Sequence, residues 1–286
     1  MNKKLLQLYG LKFNPFSPEL PNQALRRSPA VESFLWKLEH GLALEGGFAL
    51  ITGEPGSGKS VTLRLVAERL AAQPELVVGG LSRPQANLAD FYRELGDAFQ
   101  VPLRPHNRWA GAKALRTRWQ AHIDSTLCRP VLLVDEAQEM SPAVLNELRL
   151  LGSARFDARQ LLTVVLAGDA RLVDKLRRDE LLPLGSRIRT RLKLELAEPD
   201  ELRQTLLHLL DAAGNSALMT PELISTLSEH ALGNFRVLTS LSGELLAAAA
   251  HADRPQLDEK LYFEVFAPPS SPSSKKSSPS RLAART

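Results

Sequence analysis

Residues 53–60 read Gly-Glu-Pro-Gly-Ser-Gly-Lys-Ser, and few eight-residue stretches restrict a chain's fold as tightly. The pattern G-x-x-x-x-G-K-[ST] works as a phosphate cradle only with a strand ahead of it and a helix behind it. Both flanks fit. Phe48-Ala49-Leu50-Ile51-Thr52 is a mostly apolar run that suits a buried parallel strand. From Val61 to Ala72, Leu63, Val66, Ala67 and Leu70 recur at helical spacing. Glycines let the backbone curl so that its N–H groups face phosphate oxygens, and the following helix adds a positive dipole end. Gly53, Glu54, Pro55, Gly56, Ser57, Gly58, Lys59, Ser60 and the adjoining Val61 are therefore expected to hold a nucleoside triphosphate. Lys59 would reach the β- and γ-phosphates, and the Ser60 hydroxyl would ligate Mg²⁺.

The rest of the chain supplies alternating strands and helices. Pro29–Leu44 reads as a helix, and 76–82 reads as a second strand. Leu88, Phe91, Leu95 and Phe99 line one face of the next helix. A helix over about 108–126 carries Trp109, Leu115, Trp119 and Ile123 partly on one side. Val131-Leu132-Leu133-Val134 is a third strand running into Asp135 and Glu136, and Pro142 opens a helix through Leu151. Leu161–Ala167 is a fourth strand, 170–179 a helix, and Leu192–Leu196 a short fifth strand. From Pro199 the pattern is helical only, with helices at 199–213, 220–232 and 234–251 and a short piece near 257–265. This order predicts an α/β fold, a five-stranded parallel sheet flanked by helices, followed by a helical lid. The expected boundaries are 1–45 for an N-terminal segment and helix, 46–198 for the nucleotide-binding domain, 199–266 for the lid and 267–286 for a tail.

Charge and cysteine content narrow the setting. The tail contains Lys275, Lys276, Arg281 and Arg285 and no acid from 270 to 286. Removing those four from the 36 basic residues leaves 32, equal to the 32 acidic ones. A Ser/Pro-rich basic tail reads as a disordered, solvated end that would also attract nucleic acid without regard to sequence. The single cysteine, Cys128, excludes an internal disulfide framework and suits a reducing compartment. No apolar stretch approaches the ~20 residues of a membrane span, and the start does not resemble a signal peptide. A cytoplasmic location is expected, without a membrane partner.

Asp135 and Glu136 lie where open α/β sheets bind ligands, at the carboxyl end of a buried strand. Asp135 would hold Mg²⁺, and Glu136 would orient or deprotonate an attacking water. After the fourth strand, Gly168-Asp169 offers a polar side chain to the γ-phosphate or the water, although a plain turn also favours this pair. Arg187, ahead of the fifth strand, is either an arginine finger for a neighbouring subunit's nucleotide or part of a solvated basic segment. Arg236, in Gly233-Asn234-Phe235-Arg236, is either a lid residue reaching the γ-phosphate or a surface arginine.

These residues together resemble the AAA+ ATPases, and more narrowly the ExeA/TnsC/TniB group, related to MuB-type proteins. The resemblance runs from about 11 to 250. It is carried by Phe13-Asn14-Pro15-Phe16, Gly53–Ser60, Val134-Asp135-Glu136-Ala137-Gln138, Asn146-Glu147-Leu148-Arg149-Leu150-Leu151, Val165-Leu166-Ala167-Gly168-Asp169 and Arg187. It implies an ATPase using ATP and Mg²⁺, with catalytic roles for Lys59, Glu136 and Arg187, and metal contacts from Ser60 and Asp135. It also implies a lid sensor at Arg236 and an adenine pocket lined by Phe16 and its neighbours. Asp169 departs from relatives, which often carry an uncharged polar residue there.

The partner is less determined. Residues 103–123 hold Arg104, His106, Arg108, Lys113, Arg116 and Arg118 and no acid. A helix with Lys113, Arg116 and Arg118 facing outward would track a DNA backbone, or would simply be a solvated face. Arg171, Lys175, Arg177 and Arg178 form a second basic cluster, diluted by Asp174, Asp179 and Glu180. The resemblance implies a regulator of transposition that assembles into a homo-oligomeric ring or filament on duplex DNA and recruits a transposase. The alternatives are a secretion-type ATPase without DNA dependence, a nucleotide-switched scaffold, and a helicase-loader-like protein.

Overall fold

The computed structural model describes residues 3–81, 84, 87–102, 108–155 and 158–266. Arg104, His106 and the basic tail of 267–286 lie outside the described residues. The helix α1 (Lys3–Leu8) leads through an irregular segment to α2 (Pro29–Lys37). Strand β1 (Gly47–Gly53) feeds α3 (Lys59–Ala71), followed by β2 (Leu76–Leu81), α4 (Leu88–Ala98) and α5 (Arg108–Thr126). Next come β3 (Arg129–Val134), α6 (Pro142–Gly152), β4 (Thr163–Gly168), α7 (Ala170–Leu176) and β5 (Ile188–Leu194). The lid consists of α8 (Pro199–Ala213), α9 (Pro221–His230), α10 (Phe235–His251) and α11 (Glu259–Phe266).

The five strands are parallel and ordered β2-β3-β4-β1-β5. Alternation along each strand builds two cores. Phe48 and Leu50, Leu132 and Val134, and Val164 and Leu166 face α4, α5 and α6, meeting Phe91, Trp119 and Leu148. Their neighbours Ala49, Ile51, Val131, Leu133, Val165 and Ala167 face α2 and α3, meeting Leu35, Val66 and Leu70. A third core fills the lid, and it takes in Tyr9, Leu11 and Phe16 from the N-terminal segment. The first 45 residues are thus divided between two cores, one end closing the lid and α2 covering the sheet.

Several helix starts are written in the sequence. Ser28, Ser141 and Thr220 each accept a hydrogen bond from the backbone N–H three residues on, and each precedes a proline at the first helical position. Elsewhere the structure departs from the expected boundaries. The helix expected through Leu44 widens into a π-turn over Leu38–Leu42, where Glu39 accepts from Arg69 at 2.7 Å and Gln73 at 2.6 Å. The fifth strand begins at Ile188, well ahead of Leu192, because an edge strand buries only one face. Ile188 and Leu192 point inward, while Arg189, Arg191 and Lys193 are exposed. Leu161 and Leu162 are buried but precede β4. A two-residue antiparallel ladder pairs Ser153–Ala154 with Arg159–Gln160 just before them.

Candidate functional site

Because all five strands are parallel, the loop after β1, the acids after β3 and the turn after β4 share one edge of the sheet. The loop itself is tightly wound. Gly56 and Gly58 have φ of +84° and +96°, a region that L-residues with side chains avoid. Ser57 is buried, and its backbone N–H donates to the Glu54 carbonyl at 3.1 Å. Lys59 is also buried, and its Nζ donates to the Gly53 and Glu54 carbonyls at 2.9 and 3.0 Å. The ammonium therefore crosses the loop, where phosphate oxygens are able to replace the two carbonyls as acceptors. Ser60 and Val61 are exposed in the first turn of α3.

Asp135 and Glu136 follow β3 directly. Glu136 has φ of +50°, left-handed backbone for a residue with a side chain, and its N–H donates to Asp135 Oδ1 at 2.9 Å. That turn leaves Glu136 exposed at the sheet edge. The donor set suits Mg²⁺: a serine hydroxyl and a carboxylate are hard oxygen ligands, and this ion keeps several waters and binds substrate phosphates. Among the described residues no cluster of three or more His, Cys, Asp or Glu side chains forms a protein-built metal cage. Ser60 and Asp135 are the residues that would hold the ion.

Asp169, the expected sensor, stands at the start of α7. Its carboxylate caps α7 through the Arg171 N–H at 2.9 Å and pairs with the Arg171 guanidinium at 2.7 Å. The Arg171 side chain holds the Asp169 carboxyl below the usual carboxylate range, with a smaller contribution from the charge of Lys59. Arg171 also pairs with Glu139 at 2.9 Å, Lys175 donates to the Met140 carbonyl at 2.8 Å, and Arg177 pairs with Asp174 at 3.6 Å. Of the second basic cluster, Arg171 and Arg177 are thus paired with acids, and Lys175 serves backbone carbonyls.

The lid reaches the loop at a residue that sequence reasoning passed over. Asn234 Nδ2 donates to the Pro55 carbonyl at 3.0 Å, and the Phe235 N–H donates to the Gly56 carbonyl at 3.1 Å. Asn234 Oδ1 meanwhile caps α10 by accepting from the Arg236 and Val237 N–H groups. Asparagine ahead of a helical run signals a cap, but the partner 179 positions away is invisible in sequence. Arg236 is exposed in the helix turn that touches the loop. Phe16 is 6% exposed and sits in the lid core, its Cβ near Gly243.

Arg187 stands apart from this edge. It precedes β5, whose Leu194 pairs with Gly53, so it lies at the opposite end of the strand from its own phosphate loop. The guanidinium donates to the Pro183 carbonyl. On α5, Leu115, Trp119 and Ile123 are buried, whereas Trp109 is 72% exposed under Lys113, whose Nζ is 5.1 Å from the ring centroid. Lys113 and Arg118 face outward, but Arg116 does not: it is half-buried and donates to the Ser153 carbonyl at 2.7 Å. That carbonyl belongs to the two-residue ladder of Ser153–Ala154 with Arg159–Gln160.

The family model described as AAA domain matches residues 43–176, from just before β1 through α7. The chain is 32% identical over 247 residues to General secretion pathway protein A of Aeromonas hydrophila, an alignment covering 85% of this chain and 44% of that protein. This chain thus spans less than half the length of that relative. Among solved structures, the ORC2 protein of Aeropyrum pernix in its ADPNP–ADP complexes superposes with a TM-score of 0.69 at 17% identity, covering 88% of this chain and 70% of that one. The Aeropyrum pernix ORC1 protein in complex with DNA gives 0.66 at 16% identity, over 88% of this chain and 67% of that one. These two likenesses establish the fold. Residues 43–176 thus belong to the AAA domain family, and the glycine-rich loop, the acid pair beyond β3 and the sheet order give the chain the AAA+ fold.

Proposed function

We propose that this chain hydrolyses ATP and does so in assemblies, one subunit's Arg187 completing the site on the next. The observation carrying this reading is the convergence of the phosphate loop, Asp135 and Glu136 on one sheet edge, with the lid's Asn234 touching the loop. Lys59 and the loop amides would grip the phosphates, and Ser60 and Asp135 would hold the metal. The bound ion supplies positive charge that offsets the charge developing on the phosphate oxygens. Glu136 takes a proton from water as the water oxygen bonds to the γ-phosphorus. The bond to the β–γ bridging oxygen breaks, releasing ADP and phosphate. Arg236 approaches the γ-phosphate from the lid, and Phe16 backs the adenine side through the lid core.

For the partner, we place first a secretion-type ATPase, supported by the 32% identity with a protein named for the general secretion pathway. Among the described residues, no helix is long and apolar enough to cross a membrane. A DNA-bound regulator of transposition that recruits a transposase is the second reading. It is favoured by Lys113 and Arg118, exposed on a helix whose outward face also presents Trp109.

Steady-state ATP turnover and nucleotide titration of two variants test the enzymatic reading. Lys59→Ala is expected to abolish ATP binding, while Glu136→Gln keeps binding and lowers turnover by about 10²–10⁴-fold, the usual worth of a general base. Normal turnover in Glu136→Gln removes that residue from the reaction. Unchanged affinity in Lys59→Ala removes the loop.

A further inference from the structure

Gln138 follows the acid pair by two residues, in the short 3₁₀ turn Ala137–Glu139, and is 4% exposed. A buried primary amide needs partners for its donor and its acceptor, and both partners here belong to the site. Its Nε2 donates to Glu136 Oε2, and its Oε1 accepts from the Asp169 N–H at 3.3 Å. The Gln138 backbone is fixed as well, since its carbonyl accepts from Lys175 Nζ. Gly168 leaves room for this arrangement: a Cβ there would stand 2.7 Å from Gln138 Oε1.

From this geometry we propose that Gln138 is a positioning residue, holding the Glu136 carboxylate in register with the end of β4. The proposal rests on the reading of Glu136 as the base. Glu136 is exposed and sits on left-handed backbone, so its carboxylate has no packing to choose a rotamer for it. The amide supplies that choice and refers it to the strand end adjoining the phosphate loop. The side-chain type is specific. Glutamate lacks the donor and sets two carboxylates against each other, methionine lacks both polar groups, and asparagine is one methylene short of spanning the two partners. A displacement of the Asp169 N–H, at the start of α7, therefore moves the base with it.

The experiment measures kcat, ATP affinity and thermal midpoint for Gln138→Met, Gln138→Glu, Glu136→Gln and the double variant Glu136→Gln/Gln138→Met. Expected is a fall in kcat of roughly 10–100-fold for each single Gln138 variant, the size of effect that a misplacement near 1 Å produces. ATP affinity and midpoint stay near wild type. In the double variant, Gln138→Met lowers the residual rate by less than about threefold, because there is no carboxylate left to place. A proportional loss of affinity, or an equal fall in kcat on both backgrounds, overturns the proposal, because Gln138 would then act elsewhere or only structurally. Normal kcat in both single Gln138 variants, with Glu136→Gln inactive, overturns it too and leaves the base standing. If Glu136→Gln turns over normally, the base itself fails. Should Gln138→Met not fold, Gln138→Glu carries the same comparison of kcat with affinity.

Discussion

Gly56→Ala and Gly58→Ala separate two reasons for a glycine in the phosphate loop. Both residues have positive φ, +84° and +96°, and an alanine there costs about 1–2 kcal/mol in backbone conformation alone. Beyond that the sites differ. A Cβ on Gly58 meets nothing within 4 Å, whereas a Cβ on Gly56 stands 2.0 Å from Asn234 Oδ1 and 2.6 Å from its Nδ2. Those are side-chain atoms held at a helix cap by hydrogen bonds to the Pro55 carbonyl and the Arg236 and Val237 N–H groups, so the Asn234 amide must withdraw, and the start of α10 with it. Withdrawal breaks the Asn234–Pro55 and Phe235–Gly56 hydrogen bonds, each contributing about 0.5–1.5 kcal/mol. Gly58→Ala should then lose about 1–2 kcal/mol and Gly56→Ala about 2–5 kcal/mol. Urea unfolding of nucleotide-free protein gives the totals, and hydrogen exchange in the first turn of α10 locates the excess. Exchange there should quicken in Gly56→Ala and stay at the wild-type rate in Gly58→Ala. Equal losses, with α10 equally protected in both, would refute the claim that the lid rests on the loop.

Replacing Asp169 with Asn keeps a helix cap but removes the Arg171 pair. The native pKa of Asp169 is lowered, so the pair's stabilisation is present above the unfolded-state value of about 4 and fades as pH falls through the folded value. The stability gap between wild type and Asp169→Asn should accordingly close in acid, and a gap independent of pH contradicts the pairing. If duplex DNA binds along α5, Lys113→Ala with Arg118→Ala should reduce the salt slope of binding by roughly two. Arg116→Ala should leave the slope alone and cost stability, because its guanidinium serves the Ser153 carbonyl. For Arg187, mixing inactive Arg187→Ala with inactive Lys59→Ala should restore about a quarter of wild-type turnover, since random head-to-tail neighbours pair an intact loop with an intact arginine that often. A mixture as silent as its components denies the finger its role across an interface.

The fold was legible where burial acts on both faces of an element. Residues 131–134 and 164–167 form continuous apolar runs because the central strands β3 and β4 are covered on both sides. β5 was misplaced because an edge strand shows its solvent face as Arg189, Arg191 and Lys193, which reads as a basic segment. The phosphate loop and the acid pair were legible because the backbone demands of the chemistry are local. What was not legible depends on contacts across the chain. The amide of Gln138 bonds a residue 31 positions on, and Asn234 bonds one 179 positions back. Trp109 misled for a related reason: Leu115, Trp119 and Ile123 keep a four-residue step, and Trp109 falls off that step onto the wet face.

Strand geometry places Arg187 out of reach of its own phosphate loop, whereas the lid is bound to that loop. β5 runs parallel to β1, from Ile188 opposite Phe48 to Leu194 opposite Gly53. At about 3.3 Å per residue, Arg187 therefore lies roughly 20 Å from its own phosphate loop. No rotamer spans that distance, so an arginine acting on phosphate must act on another subunit's. The lid, by contrast, is joined to the loop through a closed circuit of contacts within the chain. Asn234 ties α10 to the Pro55 carbonyl, and Tyr9 ties the N-terminal segment to the lid through the Arg254 carbonyl at 2.9 Å. Arg64, on the helix that begins at Lys59, donates to the Pro18 and Leu20 carbonyls of that same segment at 3.1 and 2.7 Å. Phosphate binding that shifts the loop or α3 thus meets the lid at both ends of this circuit. Moving the lid alone requires breaking the Asn234 contact or carrying the N-terminal segment along with it.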